Sequence, residues 1–350
     1  MHLARRVRPP MSSLRRPVLV AAVLSSVIAL AACGSSSDSG SAADAPTVTP
    51  ATASPAPAGP AHPGGVIIPT PPGSSVLARS GPRLAVVAAD GNSILRFDTA
   101  AMHTPPTTLT THSVTVLIGT GAGAFLGAGP RRLTAISADG TVTTAPLGTD
   151  DPTALARLAD GRVLVGTGDG HVLVLDAALR QQRDIAAFVR VGAITVSPPG
   201  ADLDREQVVV LDPAQSSVTP VDPDTGELGA ALRAGNGATN ATVDHFGRIL
   251  VANTRDGQLV GFFGAPLVMR LRYPVADGPF AVDYDDTRNL LWVSTTANNE
   301  VVAYDLASGE PAERLRVDTV AQPDALAVDD TTGTVYVLSH RDGGIHVVSP

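Results

Sequence analysis

Seven times along the chain an apolar residue is followed, eight positions later, by a large aliphatic one. Val86, Phe125, Val165, Val210, Val251, Val293 and Val337 lead these pairs, with successive gaps of 39, 40, 45, 41, 42 and 44 residues. Their partners are Ile94, Leu133, Leu173, Val218, Leu259, Val301 and Ile345. Turn residues fill the intervals, as in Gly168-Asp169-Gly170 and Arg255-Asp256-Gly257. The best-written unit, Gly278 to Asp305, reads as the strands FAVDY, LLWVST and VVAYD between Asp-, Asn- and Thr-rich turns. Its middle run is nearly all apolar, which marks a strand covered on both faces. Such a unit cannot bury its own faces, so it must stack against copies of itself, and a period near 40 with about four strands is a β-propeller blade.

The expectation is an all-β chain, a seven-bladed propeller of four-stranded blades over 64–350. Fourth strands read at 142–148, 181–188, 227–233, 266–272 and 312–317. The last unit runs out at Pro350 without one, whereas Gly64-Gly65-Val66-Ile67-Ile68-Pro69 is a lone strand-like run upstream of the first. Residues 64–69 are therefore expected to supply the outer strand of the seventh blade, closing the ring and covering an edge that would otherwise invite aggregation. Aromatic residues are only 3% of the chain, so Val, Leu, Ile and Ala must fill the spaces between blades.

The N-terminus reads as an address. Arg5, Arg6, Arg8, Arg15 and Arg16 precede an apolar run, Pro17 to Ala32, that is too short to span a bilayer and ends in small residues. Residues 1–32 are read as a signal peptide. Leu30-Ala31-Ala32-Cys33 resembles the bacterial lipobox, which implies that Cys33, the single cysteine, is acylated (diacylglyceryl and palmitoyl) and anchors the protein on the extracytoplasmic face of the cell membrane. Arg15-Arg16-Pro17-Val18-Leu19 resembles a twin-arginine export signal, so both export routes stay open. Residues 33–63 then form a Ser/Ala/Pro-rich tether with nothing to bury, spanning on the order of 30 Å as a flexible chain. Formal charge is −8, and removal of the five arginines with the signal leaves −13. An acidic body of this kind disfavours nucleic acid as a partner.

Catalytic sets are not legible. The eight histidines form no H-x-x-x-H pair, no G-x-S-x-G occurs, and one cysteine cannot build a thiolate metal cluster. Asp222-Pro-Asp224-Thr-Gly226-Glu227 has its glycine one position early for a calcium loop and reads as a hairpin turn; the same reading covers Asp283, Asp285, Asp286, Asp329 and Asp330. No cofactor or metal is expected. Propellers take ligands at the channel mouth, where turns enter the innermost strands and where second-to-third-strand turns gather. The polar residues assigned there are Arg233, Asn236, Asn240, Arg255, Asn298, Gln322, His340 and Arg341, with Asp169, His171, Asp277, Asn299 and Asp324 beside them.

Two resemblances accompany this reading. Pro279…Trp292-Val293 and Pro323…Tyr336-Val337, each with A-V-D between, resemble the YVTN/YncE-type repeat of surface and periplasmic propellers. The lipobox and linker, Val208–Asp212, Leu232–Thr239, Gly247–Leu259 and Trp292–Ser294 are similar to the mycobacterial LppL-like lipoproteins. That likeness implies an actinobacterial cell-envelope lipoprotein and supplies no activity; the missing catalytic sets and the tethered display read instead as a non-catalytic module for an envelope protein or a small molecule. The alternative is a lactonase of the SMP-30 type, a metal-dependent hydrolase or sugar-acid binder. That family opens its first blade with Glu-Gly-Pro where this chain has Ser80-Gly81-Pro82, so a ligand carboxylate is missing.

Overall fold

The structure, a computed structural model, describes residues 46–349. Residues 1–32, expected to be a signal peptide, Cys33 and the first part of the expected tether lie outside the described residues. A first strand, β1 (Val66–Ile68), stands alone in sequence. Blade 1 follows as β2 (Val76–Ser80), β3 (Arg83–Val87), β4 (Ser93–Asp98) and β5 (Thr107–Thr110). Blade 2 is β6 (Val116–Gly121), β7 (Ala124–Gly129), β8 (Arg132–Ile136) and β9 (Val142–Pro146). Blade 3 is β10 (Pro152–Arg157), β11 (Val163–Thr167), β12 (His171–Leu175) and β13 (Gln181–Ala186).

Blade 4 is β14 (Ala193–Val196), β15 (Val208–Asp212), β16 (Ser217–Val221) and the two-residue β17 (Leu232–Arg233). Blade 5 is β18 (Ala238–Val243), β19 (Ile249–Asn253), β20 (Gln258–Phe263) and β21 (Val268–Pro274). Blade 6 is β22 (Pro279–Asp285), β23 (Leu290–Thr295), β24 (Glu300–Asp305) and β25 (Ala312–Asp318). Blade 7 has β26 (Pro323–Val328), β27 (Val335–Ser339) and β28 (Ile345–Val348), and β1 completes it. The seven sheets are each four-stranded and antiparallel.

Every leading apolar residue of the sequence repeat falls on the second strand of its blade, and every partner eight positions on falls on the third. The second strands are the most deeply buried, along their whole length in β11, β15 and β27, because each is covered by the blades on both sides. Fourth strands face solvent instead, as in β13 with QQRDIA almost wholly exposed. Among the described residues the core is a set of seven apolar clusters, each shared by two neighbouring blades. The last, with Ile68, Leu84, Val86, Phe97, Tyr336, Leu338 and Ile345, joins blade 7 to blade 1 and so closes the ring.

Closure follows the expected route. β1 pairs antiparallel with β28, Val66 opposite Val347 and Ile68 opposite Ile345. Beside this seam His346 is buried, its Nδ1 3.0 Å from Thr319 Oγ1, and burial pushes its imidazole below the usual range.

Candidate functional site

The turns that lead from a fourth strand into the next innermost strand, together with the second-to-third-strand turns, form one end of the channel. The Pro/Ala/Ser/Thr tract, read from sequence as a featureless tether, does not leave this end: residues 48–59 cross it as a strap from blade 4 to blade 7. The Val48 N–H donates to the Ala214 carbonyl (2.7 Å), and Arg255 donates to the Thr49 carbonyl (2.6 Å). Gln322 uses both ends of its amide, Oε1 accepting from the Ala56 N–H (2.9 Å) and Nε2 donating to the Ser54 carbonyl (3.1 Å). Arg341 donates to the carbonyls of Pro57 (3.0 Å) and Gly59 (2.7 Å).

The physical reason is the composition of the tract itself. Pro50, Pro55 and Pro57 lack an N–H and hold the chain extended, so its carbonyls find no partner within the segment. Guanidinium and amide donors on the mouth satisfy them. Two glycines let the strap lie close. A Cβ on Gly237 would sit 3.3 Å from that of Ala51, and one on Gly278 would run into the Ser54 side chain, 2.7 Å from its Cβ.

Between strap and mouth lies a cavity of about 730 Å³. Ala51, Thr52, Ala53 and Pro55 of the strap line it together with Phe280, Gln322, Asp324, His340 and Arg341 of the propeller. Burial pushes the Asp324 carboxyl above the usual range, partly offset by the hydrogen bond from Gln322 Nε2 (2.9 Å). Gln322 is itself fixed from behind, its N–H donating to Asn299 Oδ1 (3.0 Å), in a backbone conformation with φ of 53°. Arg341 is held by Asp342 through two contacts of 2.8 and 2.9 Å.

Of the residues assigned to the mouth from sequence, Arg255, Gln322, His340 and Arg341 come together around the strap. Asn236 joins through its backbone, its carbonyl accepting from Arg255 (2.9 Å) and its N–H donating to Asp256 (2.8 Å). Asn298 belongs to the blade 6 turn, bonded to Thr295 (2.6 Å) and Glu300 (2.6 Å) and more loosely to Asp277 (3.4 Å). Asn240 lies on innermost strand β18 with its Nδ2 buried and unpaired among the described residues. Arg233 lies at the outer margin of this face: it ends the outermost strand of blade 4 and donates to the Gln215 carbonyl (2.8 Å), next to the Ala214 on which the strap begins. Asp169 and His171 line a separate acidic cavity of about 430 Å³ with Asp150, Asp151 and Asp184.

The Asp222 turn is a hairpin turn closed by its own carboxylate, which accepts from the N–H groups of Asp224 (2.8 Å) and Thr225 (3.1 Å). Among the described residues no group of three or more His, Cys, Asp or Glu is placed to share a metal ion.

Asp283 departs from the turn assignment. It lies within β22 opposite Trp292, and its carboxylate accepts from the Val328 N–H of the next blade (2.9 Å). Burial pushes this carboxyl up to about 6; the N–H groups of Val328 and Tyr284 pull it down, while Asp330 and Asp286 push it further up. The ordinary value is 3.8, so between about pH 4 and 6 the folded chain holds a proton that the unfolded chain has lost. The contribution of this group to stability therefore falls as pH rises through that window. Asp283→Asn is expected to raise stability at pH 7 by about 2–3 kcal/mol and to remove the fall between pH 4 and 6. Denaturant melts of both proteins across that range give the difference directly; a constant difference means that Asp283 does not titrate there.

The fold is that of a seven-bladed β-propeller. No protein-family model matches the chain and no curated protein sequence matches it, so the YVTN-type and LppL-like resemblances stand on the motifs alone. A solved structure of a streptogramin B lyase is similar, with a TM-score of 0.65 at 13% identity over 81% of this chain and 97% of that one. The likeness is one of architecture. Among the described residues no helix is long and apolar enough to cross a membrane.

Proposed function

We propose that the chain is an extracytoplasmic lipoprotein of the cell envelope, moored through acylated Cys33, whose propeller is a non-catalytic binding module using the mouth face. One observation carries this reading. Three side chains from blades 5 to 7, Arg255, Gln322 and Arg341, are spent on gripping a peptide backbone rather than on holding one another. Donors arranged in this way serve recognition: they satisfy carbonyls and impose geometry, and none of them is poised against a nucleophile or a base.

The test has two arms in the native cell. Cys33→Ala is expected to move the protein out of the membrane fraction, because two or three acyl chains anchor stably and the acidic body does not bind anionic lipid. Retention in the membrane would remove acylation as the anchor. In-cell cross-linking of the wild type is expected to trap a discrete partner that Arg255→Ala, Gln322→Ala and Arg341→Ala together abolish. An unchanged set of cross-links would move the binding surface off this face.

A further inference from the structure

We infer that the mouth face is a receptor for an extended, Pro- and Ala-rich peptide, and that residues 48–59 are its resident occupant, which a segment of another extracytoplasmic chain must displace. This rests on the binding-module reading above and adds to it the chemistry of the partner. The donors read backbone, not side chain. Gln322 meets a carbonyl at Ser54 and an N–H at Ala56, alternate groups of one strand, as a neighbouring β-strand would. Arg255 and Arg341 take carbonyls at either end.

Selectivity comes from space. Ala51 and Ser54 lie against Gly237 and Gly278, whose missing Cβ atoms let the strap approach this closely, so the two close contacts favour small residues three apart. Val48, Ala51, Ala53, Ser54 and Ala56 are half-buried, whereas Thr49, Pro50, Thr52, Pro55, Pro57 and Ala58 are exposed. Pro50, Pro55 and Pro57 preset an extended backbone, which therefore costs little ordering on binding. The partner segment is thus extended, proline-spaced and small-x-x-small. Its arrival would lift the strap away from Phe280, Asp324 and His340, which line the cavity.

The experiment uses the full chain with residues 46–59 replaced by Gly and Ser at equal length, folded by circular dichroism. The probe is a fluorescein-labelled peptide of residues 46–60, followed by anisotropy. Saturable binding is expected, at least about tenfold tighter than to the native chain, whose own strap competes at an effective concentration of about 1 mM. Arg341→Ala or Gln322→Ala in the replaced chain is expected to weaken it about tenfold, and so is Ser54→Phe in the peptide. No saturable binding to the replaced chain, or equal binding of the Ser54→Phe peptide, overturns the inference. If the peptide fails while the cross-linked partner still depends on Arg255, Gln322 and Arg341, only this inference falls. Peptide binding that survives loss of any cross-linked partner supports it and sinks the wider reading instead.

Discussion

Deleting Gly64–Pro69 is expected to lower the melting temperature by on the order of 10 °C and to make the protein prone to associate. The segment contributes one buried side chain, Ile68, and the backbone pairing of β1 with β28. Burial of an Ile stabilises by about 1.5–3 kcal/mol and each net backbone hydrogen bond by about 1 kcal/mol, so the loss is about 3–5 kcal/mol. In a domain of this size each kcal/mol shifts the midpoint by about 2–4 °C. The association has a separate cause: β28 becomes an uncovered edge with open N–H and C=O groups. Thermal melts followed by circular dichroism, with light scattering alongside, check both. An unchanged midpoint would mean that the ring is held shut by the blade 7–blade 1 cluster alone.

Trp292→Ala is expected to cost about 3–5 kcal/mol, the usual range for removing a fully buried large aromatic side chain. Trp292 is completely buried on β23 in the cluster between blades 6 and 7, with Val301, Val320, Leu326, Val328, Val335 and Val337. These neighbours are branched aliphatics on stiff strands and cannot collapse into the space. Trp292→Phe is expected to cost much less, since the indole N–H is already buried without a hydrogen-bond partner and its removal relieves that loss. Urea titrations read by circular dichroism test the pair, the chain having only this one tryptophan for fluorescence. Equal costs would mean that ring volume is not what Trp292 contributes.

The fold was legible from residue types because blade construction is local. Val165 and Leu173, or Val293 and Val301, lie eight apart because a tight turn joins two short strands at that distance, and burial on both faces demands an aliphatic at each. Where the local pattern weakens, so does legibility. β5 carries TTLT with one buried leucine, and β17 is only two residues long, its Arg233 reaching the Gln215 carbonyl at the outer margin of the mouth face. Asp283 was grouped with the turn carboxylates Asp285 and Asp286, although it lies inside the FAVDY run, and β22 extends one residue beyond that run to Asp285.

The mouth was half legible. Gln322, His340, Arg341 and Arg255 were found because they occupy turns at the correct phase of the repeat. What was missed is that the low-complexity tract lies on them. Its prolines mark an extended segment with unpartnered carbonyls, but nothing in a Pro/Ala/Ser/Thr sequence says which surface supplies donors for them.

The number of blades, the strand order within them and the use of 64–69 to close the ring were determined by the sequence alone, because each depends on contacts between neighbours along the chain or between its two ends. Tertiary structure alone decided that the strap lies along the mouth turns of blades 4 to 7, that Ala56 meets Gln322 across 266 residues, and that the half-buried Asp283 accepts from the next blade. These depend on where polar groups remote in sequence come within hydrogen-bond distance of one another, which is a property of the closed ring and not of any stretch within it.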